Sequence, residues 1–311
     1  METPCADPLN AGFDINVAGH AAGAPGSYHG EMLFGNQPDG SWQAPWGVPR
    51  LEKYHHQDIN LTEALTREAL RILDTVATDQ NPFYLYLSHY GVHTPIEADS
   101  AFYPAYLERG LDTVEARYAS MVESIDHSLG QVMDYLDEHQ LSEQTIILFM
   151  SDNGGLSAVA RGGEPHTHNA PLHSGKGSAY EGGIRVPMLA KWPGEITPGS
   201  RQEQYVIIED FFPSILEMAG IQPDTLTQTT DGQSFVPFLR KQGKKRYYAS
   251  PLLALPQHLG TERTGNRRLQ CRAARRLETD LLPRGSIAGA VSFTHRHWRT
   301  KQPGYLRSAK V

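Results

Sequence analysis

The stretch Val114–Glu138 constrains the fold more than any other part of this chain. Val114, Tyr118, Met121, Val122, Ile125, Leu129, Val132, Met133 and Leu136 recur at three- and four-residue spacing. That spacing puts them on one face of a long helix. Soon afterwards comes Thr145–Met150 (TIILFM), a short apolar run of the kind that forms a buried strand. Leu65, Ala69, Ile72, Leu73 and Val76 define a second apolar face. They predict a helix that Thr62 can cap and that ends near Val76. Phe83–Leu87 reads as a buried strand, and Val186–Lys191 as another, ended by Pro193-Gly194. Asp210–Ala219 reads as a short helix with Asp210 or Pro213 in its first turn. Strands alternating with helices predict an α/β domain with a largely parallel sheet flanked by helices. Met1–Gln57, rich in Gly, Pro and Asn, should be mostly loop.

Two predicted strands end in polar residues. Ser151-Asp152-Asn153-Gly154-Gly155 follows the strand at Thr145–Met150. His89 and His93 follow the strand at Phe83–Leu87. In open α/β sheets, ligands bind outside the carboxyl ends of strands, so these residues are expected to converge at one edge of the sheet. An Asp carboxylate and an Asn amide oxygen are hard ligands, suited to calcium or magnesium. Pro171–Met188, PLHSGKGSAYEGGIRVPM, sets Lys176 between Gly175 and Gly177. Those glycines let the backbone approach whatever the lysine touches. The combination suits a tetrahedral anion held beside a metal, although a lone Gly-Lys-Gly is also a common surface turn. His166, His168 and His173 cluster before Lys176. They read as a substrate-facing loop, with a zinc site as the competing reading. Asp126 and His127, inside the long helix, read as structural.

The net charge of −7 argues against nonspecific binding to nucleic acid. The two cysteines, Cys5 and Cys271, give no disulfide framework. No apolar run reaches transmembrane length, so no membrane partner is expected. Met1–Gly30 carries no signal-peptide pattern, and the compartment stays open.

Taken in order, the motifs resemble the sulfatase family of the alkaline-phosphatase superfamily, on its arylsulfatase A and N-acetylgalactosamine-6-sulfatase side. The matching pieces are Gly12–His20, Asn81–Pro95, Tyr118–Glu138, Thr145–Gly155, Pro171–Gly194, Val206–Ile221 and Asp231–Phe235. The resemblance implies a partial sulfatase domain over 1–245. It implies a sulfuric ester hydrolase that uses calcium and a formylglycine nucleophile on a sulfated small molecule or carbohydrate. Within it, Asp152 and Asn153 are metal ligands. His93 and Lys176 are catalytic, with Lys176 holding the sulfate oxygens and His93 contacting the leaving oxygen. His173 and Asn169 contact substrate, His89 supports from behind, Glu181 ties down the loop, and Arg185 pairs within the fold. The family's paired calcium-binding aspartates and its Cys/Ser-x-Pro-x-Arg motif have no counterpart in the 311 residues. Cys271 lies in Cys-Arg-Ala-Ala-Arg, far from the family position. The expectation is therefore a chain truncated at its N-terminus and inactive by itself. A non-catalytic pseudoenzyme or decayed gene fragment is the alternative, and a phosphatase of the same superfamily is a further one.

From about Tyr247 the periodicity disappears and arginine accumulates. Leu253–Gly260, Leu277–Arg284 and Gly289–Pro303 can each be back-translated so that a shifted frame gives family-like C-terminal motifs. Residues 246–311 therefore read as an irregular tail translated out of frame. The competing reading is a basic tail that binds an acidic partner.

Overall fold

The structure is a computed structural model and describes residues 8–20, 22–77, 81–157, 159–162, 169–221, 230–240 and the pair 291–292. The chain forms two compact units: Met1–Leu141 with Ala158–Glu164, and Ser142–Ser157 with Pro165–Val311.

The first unit is helical. Helix α1 spans Leu61–Val76, α2 spans Tyr103–Glu108 and α3 spans Thr113–Glu138. Asn60, not Thr62, caps α1, because the Asn60 side-chain oxygen accepts the Thr62 N–H at 2.9 Å. Thr62 is already inside the first turn and buried, and its carbonyl accepts the Thr66 hydroxyl at 2.7 Å. Asp112 caps α3, its carboxylate accepting the N–H groups of Val114 at 2.9 Å and Glu115 at 3.0 Å. A carboxylate there also faces the positive end of the helix dipole. Helices α1 and α2 both pack on α3.

Met1–Gln57 is largely loop where it is described, yet it supplies the centre of this unit's core. Tyr28, Phe34, Val48 and Leu51 are fully buried and pack with Leu61, Ala64, Leu65 and Met121. A side chain on Gly26 would meet the Gly35 backbone at 2.8 Å, so these loop strands close on each other only as glycines.

The expected buried strand at Phe83–Leu87 is different in the structure. The segment is extended but belongs to no ladder among the described residues. Its side chains alternate. Phe83, Leu85 and Leu87 are half-buried, while Tyr84 and Tyr86 are 58% and 68% exposed. The continuous apolar run suggested burial on both faces, but only the face that carries Leu87 packs against the core.

The second unit contains strands β1 (Ile147–Met150), β2 (Met188–Lys191), β3 (Arg201–Gln202) and β4 (Val291–Ser292), in the order β1-β2-β4-β3. Strand β1 pairs antiparallel with β2, matching Met150 to Met188 and Ile147 to Lys191. Strand β2 runs parallel to β4, and β4 antiparallel to β3. The α/β class stands, but this described sheet is mixed rather than largely parallel. The reason lies in the connection. The chain leaving Met150 turns back at the same end of the sheet and enters β2 there, whereas parallel pairing needs a crossover to the far end. Of the predicted tail, only β4 is described; the rest lies outside the described residues.

Among its described residues this unit also has three short α-helices: α4 (Glu181–Ile184), α5 (Phe211–Met218) and α6 (Val236–Leu239). The buried Asp210 carboxylate precedes α5 and accepts the Gln233 N–H at 2.8 Å. The Ser214 hydroxyl oxygen accepts the Phe235 N–H, also at 2.8 Å. The Asp231–Phe235 motif is thereby fixed to α5. Phe235 lies edge-on to Phe211, with ring centroids 5.2 Å apart, in a core with Met188, Ala190, Ile196, Phe238 and Leu239. No described helix is long and apolar enough to cross a membrane.

Phe235 is 1% exposed and Phe212 is 55% exposed. Phe235→Ala is therefore expected to destabilise the protein by about 3–5 kcal/mol in chemical denaturation. Phe212→Ala should change stability by no more than about 0.5 kcal/mol. Equal effects would contradict the assigned core.

Candidate functional site

The chain from Ser151 to Pro187 is one excursion between β1 and β2, and it carries most of the candidate site residues. Its base continues the strand pair, with the Ser151 N–H donating to the Pro187 carbonyl at 3.3 Å. One turn further out, the Gly154 N–H donates to the Gly183 carbonyl at 2.9 Å. Here the two arms touch backbone to backbone. A side chain on Gly154 would collide with the Gly182 carbonyl, and one on Gly182 with the Ser174 carbonyl. Glycine is required on both arms because no Cβ fits between them.

Asn169 is the brace of this loop. Its side-chain oxygen accepts the Gly155 N–H at 3.1 Å, and its amide donates to the Gly155 and Ser174 carbonyls at 3.0 and 3.1 Å. Both amide hydrogens are thus used on the loop's own backbone. The Lys176 N–H donates to the same Gly155 carbonyl at 3.0 Å, and the Gly182 N–H to the His173 carbonyl at 2.9 Å. Ser174 and Gly177 have positive φ, 68° and 84°, on either side of Gly175 and Lys176. The backbone of Lys176 is consequently pinned while its side chain is exposed and pairs with no described carboxylate.

Asp152 and Asn153 sit immediately beyond β1, Asp152 exposed and Asn153 half-buried. The Ser151 hydroxyl donates to the Asn153 carbonyl at 2.9 Å and fixes this turn. The two side chains offer a carboxylate and an amide oxygen, a donor set that fits a hard cation. Among the described residues, no three His, Cys, Asp or Glu side chains gather as a metal group, so this pair supplies only part of a coordination shell. His173 is exposed, and its ring meets that of Tyr180 edge-on at 4.5 Å. Glu181 and Arg185 pair with each other across one helical turn at 3.3 Å. His166 and His168 lie outside the described residues.

His93 belongs to the first unit. Its Nδ1 lies 3.0 Å from the Thr94 carbonyl, which can only accept, and 3.2 Å from the Thr94 hydroxyl, which can also accept, so the Nδ1–H tautomer is the one that satisfies both contacts and Nε2 is the open nitrogen. His89, four residues before it, is bonded to α3. Its Nε2 is 3.1 Å from the Ser128 hydroxyl, which is 2.6 Å from the Thr66 hydroxyl. Thr66 in turn donates to the Thr62 carbonyl at 2.7 Å. Three bonds need three protons, and only His89 Nε2–H to Ser128 to Thr66 to Thr62 supplies them. His89 is therefore a neutral Nε2–H tautomer with its buried Nδ1 left without a partner. Asp126 and His127 read as structural, consistent with the His127 ring packing edge-on against Phe102 at 5.5 Å.

The family model for sulfatases matches residues 16–221. The chain belongs to the sulfatase family. It is 36% identical to the N-acetylgalactosamine-6-sulfatase of Mus musculus over 186 residues, 59% of this chain and 34% of that protein. It is 32% identical to a sulfatase of Formosa agariphila over 217 residues, 65% of this chain and 36% of the relative. Among solved structures it resembles Ps i-CgsB in complex with k-i-k-neocarrahexaose. There the TM-score is 0.63 at 30% identity, covering 78% of this chain and 53% of that one. The chain thus spans about a third of the length of these curated relatives. Its family and fold class follow the resemblance carried by the motifs.

The motif reading missed the loop's internal bracing. The Glu-Gly-Gly run of Glu181–Gly183 was the available signal, since consecutive glycines mark close backbone approach. Asn169→Ala is expected to cost about 2 kcal/mol, because it leaves the Gly155 N–H without its acceptor. Chemical denaturation measures this.

Burial lowers the His89 pKa from 6.5 to about 4. Above pH 6.5 the ring is neutral whether the chain is folded or unfolded, and its contribution to stability is fully present. Between pH 6.5 and 4 the unfolded chain takes up a proton that the folded one refuses, so stability falls as pH falls. The shift is worth about 3 kcal/mol over that window. Thermal unfolding of His89→Phe should show a correspondingly flatter pH dependence than the parent. An identical slope would exclude His89 as its source.

Proposed function

We propose that this chain carries part of the sulfate-handling apparatus of a sulfuric ester hydrolase acting on a sulfated carbohydrate or small molecule. The observation that carries the reading is Lys176. Its backbone is bonded to Gly155, just beyond the Asp152-Asn153 pair, while its side chain is exposed and pairs with no described carboxylate. A cationic side chain on a loop whose backbone is pinned among glycines, with two hard oxygen donors on the arm to which it is bonded, suits a tetrahedral dianion or monoanion better than an apolar ligand.

Each residue has a chemical task in this reading. Lys176 binds the sulfate oxygens and offsets the charge that grows as the ester S–O bond lengthens. His93, in the first unit, is read from the motif order alone as a sulfate-contacting residue, and its open Nε2 is a group that can hold or deliver a proton. His173, beside Tyr180, contacts the organic part of the substrate. Asn169, whose amide hydrogens are engaged by the loop, positions Lys176 rather than gripping substrate. Asp152 and Asn153 provide two oxygen ligands to a hard cation. Calcium bound there, completed by further ligands, would draw charge from the sulfate.

The 311 residues contain no Cys/Ser-x-Pro-x-Arg run that could supply a formylglycine. The chain by itself is therefore expected to bind sulfate without turning over an aryl sulfate, even when a formylglycine-generating enzyme is co-expressed. Titration calorimetry with inorganic sulfate tests the binding half. Lys176→Ala should weaken binding about tenfold or more, as the loss of a charge-assisted contact does. Equal affinity in the variant would remove Lys176 from the site. Turnover abolished by Cys271→Ala would overturn the expectation of inactivity.

A further inference from the structure

The turn that presents His93 is held by a buried tyrosine from a distant part of the chain. The Tyr28 hydroxyl lies 2.7 Å from the Tyr90 carbonyl and 3.0 Å from the His93 carbonyl. It therefore shares its one proton between the first and last residues of the four-residue turn. The His93 N–H closes the same turn by donating to Tyr90 O at 3.0 Å. The backbone of Tyr28 grips the chain just past the turn. Its N–H donates to the Glu97 carboxylate at 2.6 Å, and the Ser27 hydroxyl donates to the same oxygen at 2.9 Å. The Tyr28 carbonyl accepts the Leu61 N–H at 2.7 Å, which ties the assembly to the start of α1. Tyr28 is 1% exposed.

The arrangement exceeds what packing needs. Phe in place of Tyr would fill the same volume, whereas a buried hydroxyl must be offset by good acceptors. Here both acceptors belong to the turn of His93. Burial raises the Tyr28 pKa well above the ordinary tyrosine value, so the hydroxyl stays a donor at every physiological pH. Holding both carbonyls fixes the path of the backbone on which the His93 ring is mounted. The contact of Nδ1 with the Thr94 carbonyl at 3.0 Å then sets which nitrogen stays open.

We propose that Tyr28, with Glu97, is a positioning residue for His93: it acts through the backbone of the turn and makes the open Nε2 available to a bound sulfate group. This rests on the reading of His93 as a sulfate-contacting residue, and the test separates the two.

The experiment follows the His93 imidazole nitrogen resonances in the full 311-residue chain while inorganic sulfate is added. The resonance is identified by its loss in His93→Gln. In the parent protein, a saturable shift is expected. In Tyr28→Phe, the circular dichroism should be unchanged, while the sulfate concentration at half-saturation rises about tenfold, as for the loss of one buried hydrogen bond. Phe34→Leu is the control, because it loosens the same core without touching the turn. It should unfold at lower temperature yet titrate like the parent. Glu97→Gln should weaken the response in the same direction as Tyr28→Phe, and it replaces that variant should Tyr28→Phe not fold. A parent His93 indifferent to sulfate would overturn the reading of His93 itself, and the proposal with it. A Tyr28→Phe or Glu97→Gln titration equal to the parent would overturn the clamp alone. An equal loss in Phe34→Leu would also overturn it, by reducing Tyr28 to a general structural role.

Discussion

The backbone contact between Gly154 and the Gly182-Gly183 pair is the constraint on which the candidate site depends. Strand β1 ends at Met150 and β2 begins at Met188 opposite it. All the intervening chain must leave and return through that opening. Buried peptide groups need partners, and the two arms provide them for each other only by coming closer than any Cβ allows. The bond from Gly154 N–H to Gly183 O at 2.9 Å is the outcome. Once the arms are joined, Asn169 can reach Gly155 and Ser174 together, and Lys176 can be bonded by its backbone with its side chain outside. The same closure makes β2 antiparallel to β1 and so explains the mixed sheet.

A second constraint acts in the first unit, where polar side chains are buried in numbers. The Thr62, Thr66, Ser128 and His89 chain satisfies its donors in one direction only. Tyr28 satisfies its hydroxyl on the turn of His93. These are costly groups to bury, and the Tyr28 hydroxyl is spent on the turn of a candidate functional residue, His93. The structure spends apolar packing from Phe34, Val48 and Leu51 to hold polar groups in fixed orientation.

The long helices were legible because their apolar faces are periodic. Val114 to Leu136 announces α3 almost to the residue. The cap of α1 was misread by two positions, because Asn60 and Thr62 both precede the first apolar residue of the repeat and either can cap. The segment Phe83–Leu87 was misread because tyrosine serves equally in a core and on a surface, and sequence does not say which. The loop's candidate residues Asp152, Asn153, Lys176 and His173 were visible through motif order, which no helix or strand pattern would have given. Its bracing by Asn169 and the clamp from Tyr28 were not. Both join residues far apart in sequence through single polar atoms, a relation that leaves no periodic trace. The core contributed by the Gly- and Pro-rich opening segment was hidden for the same reason.

The described arms of the loop, from Gly154 to Ser157 and from Asn169 to Gly183, are organised before any ligand arrives. Amide hydrogen exchange of the free chain measures this directly. The account predicts that the N–H groups of Gly154, Gly155, Lys176 and Gly182, each bonded within the loop, exchange slowly in the absence of sulfate and metal, at rates near those of β2. Free exchange of these four amides, slowed only after ligand is added, would contradict it and make the cradle a product of binding.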